Sequence, residues 1–167
     1  EDKTIVSNGL DGIDISWYRE KDQRDFLLKG IESDEPDNTI FVTGDVDEIL
    51  NSNTLKDLRE KIAHGAVSYE QYPLHFHLDM YYYSFSNYVS NELWLQPGIM
   101  LLKHVRENGW KPSFLRDEGF RLSNVIKNNE DKMQKYTSRI LKNGGWHISF
   151  SGGIKTIQNK LKHYAHQ

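Results

Sequence analysis

The sequence contains no cysteine. That excludes a disulfide framework and a thiolate metal centre, and it leaves the chain with no need of an oxidising compartment. A run of about 18 apolar residues, the length that spans a bilayer, is also missing, and the opening Glu1-Asp2-Lys3 does not have the pattern of a signal peptide. A cytoplasmic setting, microbial or viral, is therefore expected rather than the Golgi lumen. Proline is scarce, at four residues, and no stretch rich in Pro, Gly or Ser marks a linker. One single domain, 1–167, is expected. Charge of one sign is lacking too: 24 acids against 21 bases leave a net −3. A nucleic-acid binder would carry a basic excess or stripe. The basic residues near the end, Lys155, Lys160 and Lys162, fall at the spacing of a solvated helix face.

What is present suffices for a core: 37% hydrophobic residues and 12% aromatics, spread along the whole length. The first half alternates helix and strand patterns. Ser16 can cap a helix over about Trp17 to Ile31, with Leu27, Leu28 and Ile31 on one side. Thr39–Thr43 is a short β-branched, apolar run, the pattern of a strand buried on both faces. Ser52 or Asn53 can cap a second helix striped by Leu55, Leu58 and Ile62 and stopped at Gly65. From Leu74 to Tyr83 apolar and polar residues alternate, which predicts a long strand with one polar face. A strand over Gly98–His104, a helix over about Asp131 to Leu141 and a strand over Trp146–Phe150 follow. A closing helix opens at Gly152-Gly153, with Ile154, Ile157, Leu161 and Tyr164 facing inward. The fold class is α/β with a mixed sheet.

Three clusters carry chemistry. Asp45, Asp47 and Glu48 crowd three carboxylates into four residues after the strand Thr39–Thr43. In open α/β sheets ligands gather at strand carboxyl ends, and such crowding makes sense around Mg²⁺ or Mn²⁺. A solvated turn is the plain alternative. An EF-hand is excluded, because Leu50 stands where that loop requires glycine. Upstream, Glu20 and Arg24 extend the helical stripe of Leu27 and Ile31. Buried, these charges would need each other or a ligand; at the surface they are a simple ion pair. Downstream, the glycine pairs Gly144-Gly145 and Gly152-Gly153 bracket Trp146 and His147, and the second pair opens a helix whose N-terminus favours anions. His147 can complete a metal shell with the two aspartates or serve as an ordinary packed histidine.

The ordered set of Trp17-Tyr18-Arg19-Glu20 with Gln23-Arg24, Asp45-Val46-Asp47-Glu48-Ile49, Gly145-Trp146-His147-Ile148-Ser149 with Gly152-Gly153, and the ending Lys160 to His166-Gln167 resembles glycosyltransferase family 17. Its members are the β-1,4-mannosyl-glycoprotein β-1,4-N-acetylglucosaminyltransferases, and the similarity runs from about Trp17 to the end. The resemblance implies a GT-A-like (Rossmann-like) mixed sheet flanked by helices. It implies an inverting transfer of N-acetylglucosamine from UDP-GlcNAc to a glycan hydroxyl, a β-mannose in that family. Asp45 and Asp47 would hold a Mn²⁺ or Mg²⁺ ion on the donor diphosphate, with His147 as a late metal or phosphate ligand. Glu20, Arg24, Trp146, Gly152 and Gly153 would line the donor. The acceptor base would be Asp117 or Glu118, with Glu48 and Asp79 open as alternatives. The family's further N-terminal strand and helix are missing here, so part of the nucleotide-binding half is expected to be absent.

Two other functions compete. His75, His77 and Asp79 share one strand face at period two, a zinc-hydrolase pattern. The aromatics Tyr81, Tyr82, Tyr83, Trp94, Trp110 and Trp146 could instead stack on sugars in a carbohydrate-binding remnant without turnover.

Overall fold

In the computed structural model, residues 15–68, 71–129 and 131–163 are described. The strand-like Thr4-Ile5-Val6, Tyr164 and the closing His166-Gln167 lie outside them. A six-stranded mixed sheet has the order β1 (Ile40–Thr43), β5 (Gly98–Leu101), β3 (Leu74–Tyr82), β6 (Ile140–Ser149), β2 (Glu48–Leu50), with β4 (Tyr88–Trp94) also on β3. Only β3 and β6 pair in parallel. The helices are α1 (Ile15–Phe26), α2 (Ser52–Ala63), α3 (Leu102–Asn108), α4 (Pro112–Lys127), α5 (Asp131–Tyr136) and α6 (Gly153–His163). None is long and apolar enough to cross a membrane.

The sheet has to curl. The strands β1 and β2 occupy opposite ends of its order, yet residues 44–47 alone join them. Fully extended, that link reaches about 17 Å, and a turn closed by Glu48 N donating to Asp45 O shortens it further. Four flat inter-strand spacings come to about 19 Å. Curling brings the sheet's two ends together and lays the acidic loop between them.

The strand β3 is the axis of the core. Leu74, Phe76 and Leu78 are buried with Leu58 of α2 and Ile99 of β5. A second cluster joins Leu95 to Leu122 and Ile126 of α4 and Ile140 of β6. The long strand does not have a polar face along its whole length, because His75 is fully buried. Other expectations shift similarly. The α-helical part of the first helix ends at Phe26 and tightens into a 3-10 turn over Leu27–Gly30, with Leu28 rather than Leu27 turned inward. Ser16 falls inside it rather than before it. The strand from Gly98 stops at Leu101, where the chain turns into α3. The apolar run ending at Thr43 is a half-buried edge strand, paired on one side only by β5. In α6, Ile154 and Leu161 are exposed rather than inward-facing.

Two glycine sites set how closely elements approach. A Cβ on Gly119 would lie 2.1 Å from Leu95 O, so α4 rests directly on the backbone after β4. Gly145, at φ 136°, would place a Cβ 2.0 Å from Ile49 O, and at Gly144 it would meet Phe76 and His77. The first glycine pair therefore serves the packing of β6 between β2 and β3, not a ligand. Gly145→Ala combines a clash with a disfavoured φ and should lower unfolding stability by about 2–4 kcal/mol. Gly30→Ala, with open space around it, serves as control. Denaturant unfolding of both variants checks this; equal stabilities would show the crossing can relax.

Candidate functional site

The acidic loop is built around Glu48, whose side chain has no exposed surface. Its Oε2 accepts from Asp45 N at 2.7 Å, closing the turn. Its Oε1 accepts from Trp94 Nε1 and from Arg116 Nη1, both at 2.7 Å. Arg116 comes from α4 one turn before Gly119, so the close approach of that helix aims it here. Its second nitrogen reaches Asp45 Oδ2 at 2.7 Å. Arg24 of α1 takes the other side of Asp45 at 3.1 and 3.2 Å and holds Glu20 at 2.6 Å. Burial works against the Arg24 charge, but Asp45 and Glu20 outweigh it and raise its pKa.

Asp47 faces a different set of cations. Lys160 of α6 donates to its Oδ2 at 2.9 Å, and His147 Nε2 stands 3.5 Å from the same oxygen. His147 is placed by strand register: β2 and β6 pair antiparallel with Glu48 opposite His147, while Ile148 N donates to Asp47 O. Its ring lies 4.1 Å from Trp94, it is buried, and its Nδ1 has no hydrogen-bond partner. Burial alone would raise the Asp47 carboxyl; hydrogen bonds from His147 and Lys160 override it and hold the group well below the usual carboxylate range.

The structure thus gathers Glu20, Arg24, Asp45, Asp47, Glu48 and His147 into one network. It adds Arg116, which carried no motif signal of its own, with Lys160, expected only on a solvated helix face and in the family-like ending, and Trp94, expected only as a sugar-stacking aromatic. An arginine one turn ahead of a helical glycine is the only pattern that could have pointed to Arg116. Trp146 alternates to the sheet face opposite His147. Gly152 and Gly153, at φ 99° and 82°, form the turn into α6 that carries Lys160.

The four nominated bases differ sharply. Glu48 is sealed from solvent by its three donors. Glu118 is bound by Arg121 at 2.7 Å and Arg139 at 3.0 Å, and the hydrogen bond from Arg121 leads in lowering it to about 2. Asp117 is exposed on α4 and pairs with Lys21 at 2.6 Å. Asp79 is exposed on β3. Of the zinc pattern, His75 is fully buried against Gly98, and burial lowers its pKa to about 4; His77 is half-buried. Among the described residues no three His, Asp or Glu side chains form a group able to hold a metal ion. Asp45 is turned to its arginines, so Asp47 and His147 face each other as a pair.

No family model, curated protein or solved structure matches the chain. The fold is mixed α/β, a curled mixed sheet with flanking helices.

The depressed Glu118 pKa has a linkage consequence. A carboxyl whose folded pKa lies below its unfolded value contributes stability that is present above the unfolded value, near 4.5, and lost as pH falls towards about 2. Glu118→Gln should flatten stability against pH across that window. The effect should be on the order of 2 kcal/mol, allowing for the solvent that reaches Arg121. Unfolding midpoints between pH 2 and 5 check it, and parallel curves for the two proteins would refute it.

Proposed function

We propose that the chain is a metal-dependent, inverting glycosyltransferase domain taking its sugar from a UDP-linked donor. By its resemblance to glycosyltransferase family 17, the sugar is N-acetylglucosamine and the acceptor a glycan hydroxyl on β-mannose. The single observation that carries the reading is the meeting of Asp47 with His147, one hundred residues later, and with Lys160, beside an Asp45 held by Arg24 and Arg116. Two carboxylates and an imidazole suit Mn²⁺ or Mg²⁺ in donor chemistry, and Lys160 already sets a cation against Asp47 Oδ2.

On this reading Asp47 and His147 would hold the ion, and Asp45 could join them only where Arg24 and Arg116 let go of it. When bound, the ion would supply charge neutralisation for the departing diphosphate. Lys160, released from Asp47, and Arg24 and Arg116, released from Asp45 but still held by Glu20 and Glu48, would add positive charge on the phosphate oxygens. Glu48 positions the loop and takes no proton. The acceptor base is assigned to Asp117, because Glu48 is sealed and Glu118 is locked between two arginines.

Titration calorimetry of UDP in the presence of Mn²⁺ tests this. Asp47→Ala should abolish metal-dependent UDP binding with the fold retained, and His147→Ala should weaken it by roughly tenfold or more. Unchanged UDP affinity in Asp47→Ala would remove the reading. Separately, Asp117→Asn should lower kcat by roughly a hundredfold and leave donor affinity intact; an unchanged kcat would refute that assignment.

A further inference from the structure

The parallel strands β3 and β6 remain in register to Tyr82 opposite Ser149. Each then ends in an aromatic residue with left-handed backbone, Tyr83 at φ 67° and Phe150 at φ 56°. A bulky residue is strained in that region, and such residues persist where the surroundings enforce them, often at binding sites. A hydrogen bond from Tyr83 N to Ser149 O at 2.9 Å locks the two ends together. The rings of Tyr82, Tyr83 and Phe150 form a triangle with centroids 6.0, 6.2 and 6.3 Å apart, Tyr82 and Phe150 within 20° of parallel. Tyr82 and Tyr83 are exposed, at 38% and 58%.

This patch adjoins the charged network. Lys160 Nζ lies 5.0 Å from the Phe150 ring centroid while bonded to Asp47 at 2.9 Å, so one ammonium joins the rings to the carboxylate. We propose that Tyr82, Tyr83 and Phe150 form a stacking platform for a pyranose ring of the acceptor glycan, a proposal that rests on the transferase reading above. The chemistry selects that occupant. Electron-rich ring faces attract the weakly positive C–H hydrogens on one face of a pyranose, and the two phenol hydroxyls can bond the sugar's hydroxyl rim. A patch of three rings bounded by the Lys160–Asp47 pair has the extent of one or two sugars. Its place beside Asp47 sets a stacked acceptor next to the diphosphate end of a donor.

The variant that tests it is Tyr82→Ser/Tyr83→Gly, because glycine keeps the left-handed backbone without the ring. Saturation-transfer NMR with methyl β-mannoside and chitobiose, with Mn²⁺ and UDP present, should show contact in the parent chain. In the variant it should be lost or weakened by roughly tenfold, while Mn²⁺-dependent UDP binding is retained. Should the double variant fail to fold, Tyr83→Gly alone is measured for the same loss. Undiminished contact in the variant overturns the platform, as does no contact in the parent. Concentration-dependent dimers of the parent that the variant lacks also overturn it, assigning the patch to self-association. Ring-dependent glycoside contact without any Mn²⁺-dependent UDP binding keeps the platform and discards the transferase.

Discussion

A carboxylate removed from water is costly unless its oxygens are filled by donors, and the arrangement of this molecule follows from how Glu48 meets that demand. Its donors come from the loop itself, from the end of β4 and from α4. Those parts lie up to 68 residues from Glu48 in sequence, and the shared acceptor fixes them relative to one another. Because Glu48 also begins β2, whose register sets it opposite His147, the same residue places the imidazole beside Asp47. An apolar residue here would leave Trp94 Nε1, one nitrogen of Arg116 and Asp45 N seeking other partners, and the turn that shortens the bridge between the sheet ends would keep only its backbone bond.

Around that anchor the charges are balanced in two compartments. Arg24 and Arg116 clamp Asp45, whereas Lys160 and His147 attend Asp47. Every incoming ion therefore competes with an ion pair already made. On the proposed reading, a dication alone would displace Lys160 and leave Arg24 and Arg116 on Glu20 and Glu48 only, and a diphosphate alone would meet the carboxylates. Arriving together, the dication takes the carboxylates and the diphosphate takes the released cations. Each lost ion pair is then replaced by another.

Much of the fold was legible. The helix from Ser52 with Leu58 inward, the Gly65 stop and the long strand from Leu74 follow from period and punctuation. What escaped depends on tertiary placement. The strand over Tyr88–Trp94 mixes polar and apolar residues without alternation, because it is an outer strand covered unevenly. The helix Pro112–Lys127 has its proline at the first turn and an apolar stripe, yet its decisive residues are Arg116 and Gly119, chosen for a carboxylate and a backbone elsewhere. In the site, spacing pointed to Asp45, Asp47, Arg24 and His147 as candidates. Which carboxylate each cation would meet was not legible, since that is set by helix docking.

Glycine illustrates why local reading runs out. Gly144 and Gly145 look like a ligand-facing pair in sequence, and they are spent on the crossing of β6 past β2 and β3, where any side chain would collide with backbone. At Tyr83 and Phe150 the reverse holds: the left-handed backbone that glycine would adopt without strain carries aromatic rings instead. Packing explains the first choice completely. It does not explain the second, because Tyr83 is largely exposed and gains little from burial. On the proposed platform, a strained residue with its ring in solvent and a cation from the charged network 5.0 Å from its neighbour's ring would be explained by what the rings meet from outside. The strain at these two strand ends and the charges on Asp47 then belong to one surface, assembled from both ends of a sheet that a four-residue bridge forces to curl.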